Sequence, residues 1–381
     1  MQLQARTTFL NRCRPSARSR TVVVPKATAY VAPSQSTAAN ELQLLRSVSS
    51  VQVDSIAAEN VLSTGGGAVS FGLLMRAVRS EALGLRPIEN AIAAARAYST
   101  DPERQVEKAM ANVGALVAGQ VTGRISTEVD PRYANDAAKM VAKAKSLVAL
   151  YKEVGVPASR LLMRIPATWA GVQACKELEK AGIACHIYMV YSVGQAAAAA
   201  EAGASIVNAN CARTRDFYDK NPGLIRDPKG PRQDAGGSPV DPGVLLVTNI
   251  YNYCKVHHPK SLVMATGIRT REDALALAGC DVLVLPPKVA AQMAATATTA
   301  GYNDGLHAAA SAEEVLDAQL TPRGAADAAP TKMGPFKDEA SFQDALGVAG
   351  TQLLTAALKD AVRDVEALAS MSKATTGVSS T

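Results

Sequence analysis

The chain of 381 residues is short of aromatics, at 4%, and has a single Trp. No apolar run approaches the roughly 18 to 20 uncharged residues that a membrane-spanning helix needs, so no transmembrane segment and no membrane partner are expected. Six Cys occur, at positions 13, 175, 185, 211, 254 and 280, and none forms a Cys-x-x-Cys pair. The four His (186, 257, 258 and 307) show no ligand spacing with them. A zinc site is therefore not expected, and the Cys of the body should be reduced, mostly buried, small hydrophobes. Acidic residues are missing altogether from positions 1–40. That stretch holds six of the 40 basic residues (Arg6, Arg12, Arg14, Arg18, Arg20 and Lys26), and the remaining 34 face 34 acidic residues. The net charge of +6 thus belongs to the N-terminal segment and the body is formally neutral. A nucleic-acid binder carries a basic footprint, so none is expected here. What is present is 48% hydrophobic and 19% charged, which excludes wholesale disorder and collagen-like structure.

The N-terminal segment is rich in Arg and Ser and ends in small residues around Val24-Pro25-Lys26-Ala27-Thr28-Ala29. This is organelle transit-peptide composition without the apolar core of a secretory signal. A chloroplast (plastid stroma) location is the expectation, with the mitochondrion as the alternative. Residues 1–40 are read as transit peptide and linker.

Beyond the linker, two kinds of segment alternate. Short β-branched runs recur at Ser47–Asp54, Gln120–Ser126, Arg160–Ala167, Cys185–Ser192, Ala204–Asn210, Ser261–Thr266 and Asp281–Leu285. Between them lie stretches with apolar residues three and four apart, among them Pro102–Ala118, Ala134–Val154, Thr168–Gly182, Val193–Gly203, Pro242–Val256 and Arg271–Gly279. Such repetition implies a parallel sheet with helical crossovers. Seven strands and a weakly marked eighth near Ala57–Leu62 suit a closed (β/α)8 barrel over residues 41–300. An open doubly wound sheet is the alternative. Against it, no Gly-x-Gly-x-x-Gly follows the first strand, and Gly65-Gly66-Gly67 lacks that spacing. Residues 301–340 read as irregular. An amphipathic C-terminal helix, 341–372, should pack on the barrel, with a homodimer contact as the other reading.

Polar residues cluster at the strand ends: Asp54, Ser126, Glu128, Arg164, Tyr188, Ser192, Asn208, Asn210 and Thr266. A closed barrel brings such positions to the mouth at its C-terminal face, where barrel active sites lie. Arg164, in Leu-Leu-Met-Arg-Ile-Pro, stands out because a charge in an apolar strand is rarely buried unless paired.

The stretch Gly123-Arg124-Ile125-Ser126-Thr127-Glu128-Val129-Asp130 resembles the transaldolase family. The resemblance continues through Arg160–Gly171, Leu178–Ile183, Ser192–Gly203, Asp241–Val244 with Ile250–Tyr253, and Leu277–Asp281, in register over roughly 120–290. It implies a (β/α)8 barrel that moves a dihydroxyacetone unit between sugar phosphates in the pentose phosphate pathway. The family reaction runs through a Schiff base on a lysine of the fourth strand, with no metal or organic cofactor.

Carried onto this chain, the lysine position falls on Arg164. A guanidinium stays protonated and has no amine to form an imine, so the standard mechanism is expected to be lost and the protein to be a pseudoenzyme. The acid/base carboxylates fall on Asp54 and Glu128, with Ser126 beside them. Here they are expected to neutralise Arg164 as charge-assisted pairs. Sugar-contacting positions fall on His186, Tyr188, Asn208 and Asn210, and the two phosphate-holding arginines on Arg213 and Arg269. The serine two residues before the second arginine is Gly267. Lys288, after the eighth strand, is the one candidate for a relocated amine. Three functions follow: an enzyme in which Arg164 polarises a carbonyl with Glu128 or Asp54 as base, a non-catalytic sugar-phosphate binder, or a scaffold.

Overall fold

The alternation closes on itself in space. The computed structural model describes residues 40–56, 64–79, 86–222, 241–298 and 320–376. The basic segment 1–39 with Cys13, the strand expected near 57–62, His307 and residues 301–319 of the irregular segment lie outside these. The elements, in order, are α1 (Glu41–Val48), β1 (Ser50–Val53), β2 (Gly67–Val69), α2 (Phe71–Arg79), α3 (Arg86–Arg96), α4 (Pro102–Ala118) and β3 (Ile125–Glu128). There follow α5 (Ala137–Glu153), β4 (Leu161–Pro166), α6 (Trp169–Lys180), β5 (Cys185–Val190), α7 (Val193–Glu201), β6 (Ile206–Asn210) and α8 (Cys211–Lys220). The chain ends with α9 (Pro242–His257), β7 (Leu262–Thr266), α10 (Arg271–Ala276), β8 (Val282–Leu285), α11 (Pro287–Ala295), α12 (Pro322–Ala328) and α13 (Glu339–Thr376).

The eight strands are ordered β1-β8-β7-β6-β5-β4-β3-β2, and every paired neighbour is parallel. Pairing of the first strand with the last excludes the open sheet and makes a nearly closed (β/α)8 barrel of the TIM type. The second strand is Gly67–Val69, so the glycine run belongs to the seam between β1 and β2. A Cβ on Gly66 would stand 2.8 Å from the Gln52 amide of β1 and 2.9 Å from the Arg124 carbonyl. One on Gly123 would strike the Gly65 carbonyl. Glycine is what lets these backbones converge.

Period-two alternation sorts the strand side chains. Met163, Ile165, Ile187, Val207, Val263 and Leu283 face the helices and are fully buried. Leu162, Ile206, Met264 and Val282 form a separate apolar cluster inside the barrel, its floor. Two residues further along the same strands stand Arg164, Asn208, Thr266 and Val284, which line the space above it.

The strand-to-helix junctions are capped by side chains at the C-terminal face. Thr168 accepts from the Gly171 N–H, Ser192 from Gln195, Asn210 from Arg213, and Thr270 forms a reciprocal capping box with Asp273. The C-terminal helix runs 339–376 and breaks at Gly347, where φ is +72°. Its Phe342, Leu346, Leu353 and Leu354 pack against Val172, Tyr188 and Tyr191, so it does dock on the barrel. The irregular segment contains α12 among its described residues. No described helix is long and apolar enough to cross a membrane.

Candidate functional site

Two adjoining cavities open at the C-terminal end of the barrel and share Arg164, Asn208, Asn210 and Thr266 in their walls. The inner one, about 250 Å³, reaches Gln52, Asp54, His186 and Gly267. The outer one, about 180 Å³, reaches Glu128, Tyr188, Met189, Tyr191 and Arg213, and is bounded by Asp360 and Asp364 of α13. Arg164 of β4 is the charged residue among the four they share.

Arg164 is half-buried. Its guanidinium carbon lies 4.2 Å from the centre of the Tyr188 ring, a cation–π contact. Among the described residues it forms no ion pair and no hydrogen bond, and its buried Nε has no acceptor. The expected pairing with Asp54 and Glu128 is not found. Both carboxylates are drawn away by α2. Glu128 accepts the Phe71 N–H at 2.9 Å at that helix's first turn, and Asp54 takes Arg76 at 3.3 Å on the exposed rim. A helix N-terminus competes well for a carboxylate. Sequence reading missed α2, although Ser70 before the apolar run Phe71–Val78 is a helix-start signal, and its hydroxyl does accept from Leu73.

Beside Arg164 a polar relay crosses four strands. Thr266 donates to Asn208 Oδ1 at 2.9 Å, Asn208 Nδ2 is 2.9 Å from His186 Nε2, and His186 Nδ1 is 2.6 Å from the Ser126 hydroxyl. With the amide nitrogen facing Nε2, that ring nitrogen must accept, so Nδ1 carries the proton and donates to Ser126. Burial, with the nearby Arg164 charge, holds the His186 pKa well below its usual range, and the ring is neutral. Burial and the Glu128 carboxylate push the Tyr188 phenol well up. Its hydroxyl lies beside Glu128 without making a hydrogen bond of ordinary geometry. Burial likewise pushes Tyr191 to about 12.

The strand carrying His186 and Tyr188 is irregular. Its pairing with β6 shifts between Ile187 and Val190, and Met189 takes a positive φ of 62°. Buried Gln195 holds the irregularity: its amide donates to the Met189 and Ala167 carbonyls, and its oxygen accepts the Tyr191 N–H. A bulge beside a cavity re-aims side chains, here Tyr188 and Tyr191. Gln195 had no separate signal in its alanine-rich helix. Gly267 is explained by its φ of +75° and by Asn210 Oδ1, only 2.6 Å from where a Cβ would stand.

The arginines at the helix starts differ. Arg213, on α8, lines the outer cavity and pairs with Asp360 at 2.8 Å. Arg269 lines neither cavity and is clasped by both oxygens of Asp216, at 2.6 and 2.7 Å. Lys288 is exposed at the start of α11, and among the described residues no lysine lines either cavity. All five described Cys are buried thiols. Cys175, Glu179 and Cys185 gather on the outer wall with their ligand atoms within 4.8 Å. There the contact with Cys175 and burial push the Cys185 thiol well up, and the Glu179 carboxylate is taken by two backbone N–H groups.

A neutral imidazole, two carboxylates and a charged fork around a barrel-mouth cavity invite comparison with known families. The transaldolase/fructose-6-phosphate aldolase family model matches residues 74–367. This chain belongs to that family. A transaldolase of Shewanella oneidensis is 41% identical over 211 residues, which is 54% of this chain and 63% of the relative. One of Shewanella amazonensis is 41% identical over 215 residues, 55% and 65% respectively. The aligned part thus spans under two thirds of the length of these relatives.

Proposed function

We propose that this transaldolase-family protein binds a phosphorylated sugar in the barrel mouth and has given up dihydroxyacetone transfer through an imine. The observation that carries the reading is the absence of an amine. The fourth-strand position where the family resemblance puts lysine is Arg164, and among the described residues no lysine lines the cavities. An imine needs a nitrogen lone pair to attack the keto carbon and a proton to leave. A guanidinium, which stays protonated, has no lone pair free for that attack.

Binding keeps a physical basis. Arg213 offers a forked cation at the outer cavity, and its bond to Asp360 is half-exposed, with both side chains about 40% accessible. Such a pair contributes at most about 1 kcal/mol, which a phosphate dianion replaces with stronger charge-assisted bonds. Arg269 stays bound to Asp216, so the grip rests on Arg213.

Two measurements test this. Incubation with fructose 6-phosphate and borohydride, followed by peptide mapping, is expected to label no lysine; a label on Lys288 or any other overturns the loss of the imine route. Fructose 6-phosphate at a hundred times its Kd should stabilise the protein by about 2.7 kcal/mol in a thermal titration. That shift should vanish in Arg213→Ala, and an equal shift in the variant removes the phosphate grip from the proposal.

A further inference from the structure

We infer that the space beside Arg164 is a carboxylate subsite, so that the ligand is a phosphorylated sugar acid rather than a ketose phosphate. The inference rests on the binding reading above and names the chemistry of the ligand's other end.

Arg164 is a full positive charge at the barrel mouth that forms no ion pair among the described residues; the nearest acid in the sheet, its register partner Glu128 on β3, lines the same cavity without pairing with it. Leaving a charge so is unfavourable unless something complements it. The protein's own acids are committed elsewhere, Glu128 to the Phe71 N–H and Asp54 to Arg76. His186 is neutral with both ring nitrogens in the relay. The groups left over are donors. Arg164 Nε has no acceptor, and the Tyr188 hydroxyl, in a residue only 3% exposed, faces the Glu128 carboxylate without a hydrogen bond of ordinary geometry. Asn210 uses its oxygen to cap α8 and leaves its NH2 without a partner among the described residues. All three residues line the outer cavity. The Tyr188 ring packs 4.2 Å from the guanidinium carbon and the Nε is buried, so a carboxylate entering the cavity meets the two terminal NH2 groups, a pair that it can take bidentately. A keto or hydroxyl group would accept hydrogen bonds but leave the charge uncompensated. Arg213 lines the same cavity, so one ligand with a carboxylate at one end and a phosphate at the other joins the two cations.

Calorimetric titration of the full chain with 6-phosphogluconate, fructose 6-phosphate and gluconate tests the assignment. 6-Phosphogluconate should bind at least tenfold tighter than fructose 6-phosphate. In Arg164→Gln that advantage should disappear while fructose 6-phosphate still binds, and Arg164→Lys, which keeps the charge without the fork, should recover only part of it. Arg213→Ala should weaken both phosphorylated ligands alike. Equal affinities in the parent, or an advantage that survives Arg164→Gln, overturn the carboxylate subsite and leave phosphate binding standing. If gluconate binds as tightly as 6-phosphogluconate and Arg213→Ala is silent, the phosphate reading falls and the subsite stands. No binding of any of the three overturns both. Should Arg164→Gln not fold, Arg164→Lys decides: an undiminished advantage there overturns the subsite.

Discussion

Lowering the pH from 7.5 to 5.5 should destabilise this protein through one buried ring. His186 is 2% exposed, and burial with the Arg164 charge depresses its pKa. The unfolded chain's imidazole titrates near 6.5, so below that pH the unfolded state takes up a proton that the folded state refuses. Stability from this group is therefore complete above about pH 6.5 and is lost as the pH falls. Across the stated interval the loss is about 1.4 kcal/mol. The relay explains the refusal. A second proton on the ring turns Nε2 into a donor facing the Asn208 NH2, and turning that amide over would force Thr266 to redirect its proton from Asn208 to the Ala209 carbonyl. It also puts a second cation beside Arg164. The assay is urea unfolding of the parent and of His186→Gln at both pH values. His258, whose pKa burial also lowers, is common to both proteins and cancels in the difference. The parent should lose at least about 1 kcal/mol more than the variant over the interval. Parallel pH profiles would refute the neutral, proton-locked ring and the direction assigned to the relay.

Two further substitutions probe the rim and the seam. Asp360→Asn removes the carboxylate from Arg213; because the pair is half-exposed, stability should change by less than about 1 kcal/mol, while affinity for inorganic phosphate rises severalfold in a calorimetric titration. Unchanged or weaker phosphate binding would contradict the view that Asp360 competes for that arginine. Gly123→Ala drives a methyl into the Gly65 carbonyl where the chain enters β2 and β3 and should cost about 1–3 kcal/mol in unfolding experiments, whereas an unaffected midpoint would mean that these backbones give way freely.

The barrel was legible because its signals are local and repeated. Pro102–Ala118 runs between an Asp101 cap and Gly119, and its predicted and observed limits coincide. Six of the seven expected β-branched runs contain their strands entirely; Gln120–Ser126 overlaps only the start of β3. The second strand escaped because Gly67-Ala68-Val69 has three residues and begins with glycine, chosen for backbone approach at the seam rather than for strand propensity. The site was legible as a set of positions: Ser126, Glu128, Arg164, His186, Tyr188, Asn208 and Asn210 do converge. Their partners were not. Who pairs with Glu128 depends on where α2 begins, and who covers Arg213 depends on Asp360, 147 residues away in sequence. Those are facts of packing between distant segments, which residue type and spacing do not carry.

The residues around Arg164 answer one another's needs. Tyr188 covers the guanidinium face, and the irregular turn at Met189, tied by Gln195, aims that ring. Ser126 and Asn208 satisfy both nitrogens of His186, and Thr266 satisfies the oxygen of Asn208. Gly267 leaves room for the Asn210 amide that caps α8. A site decaying from lack of use would leave orphaned donors and acceptors at random, since each loss strands a different partner. At this cavity the buried orphans are Arg164 Nε and the Tyr188 hydroxyl, both able to donate, and the Asn210 NH2 beside them is also without a partner among the described residues. Orphans of one kind, gathered around one cation above an apolar floor, describe the ligand's missing half: an acceptor bearing negative charge.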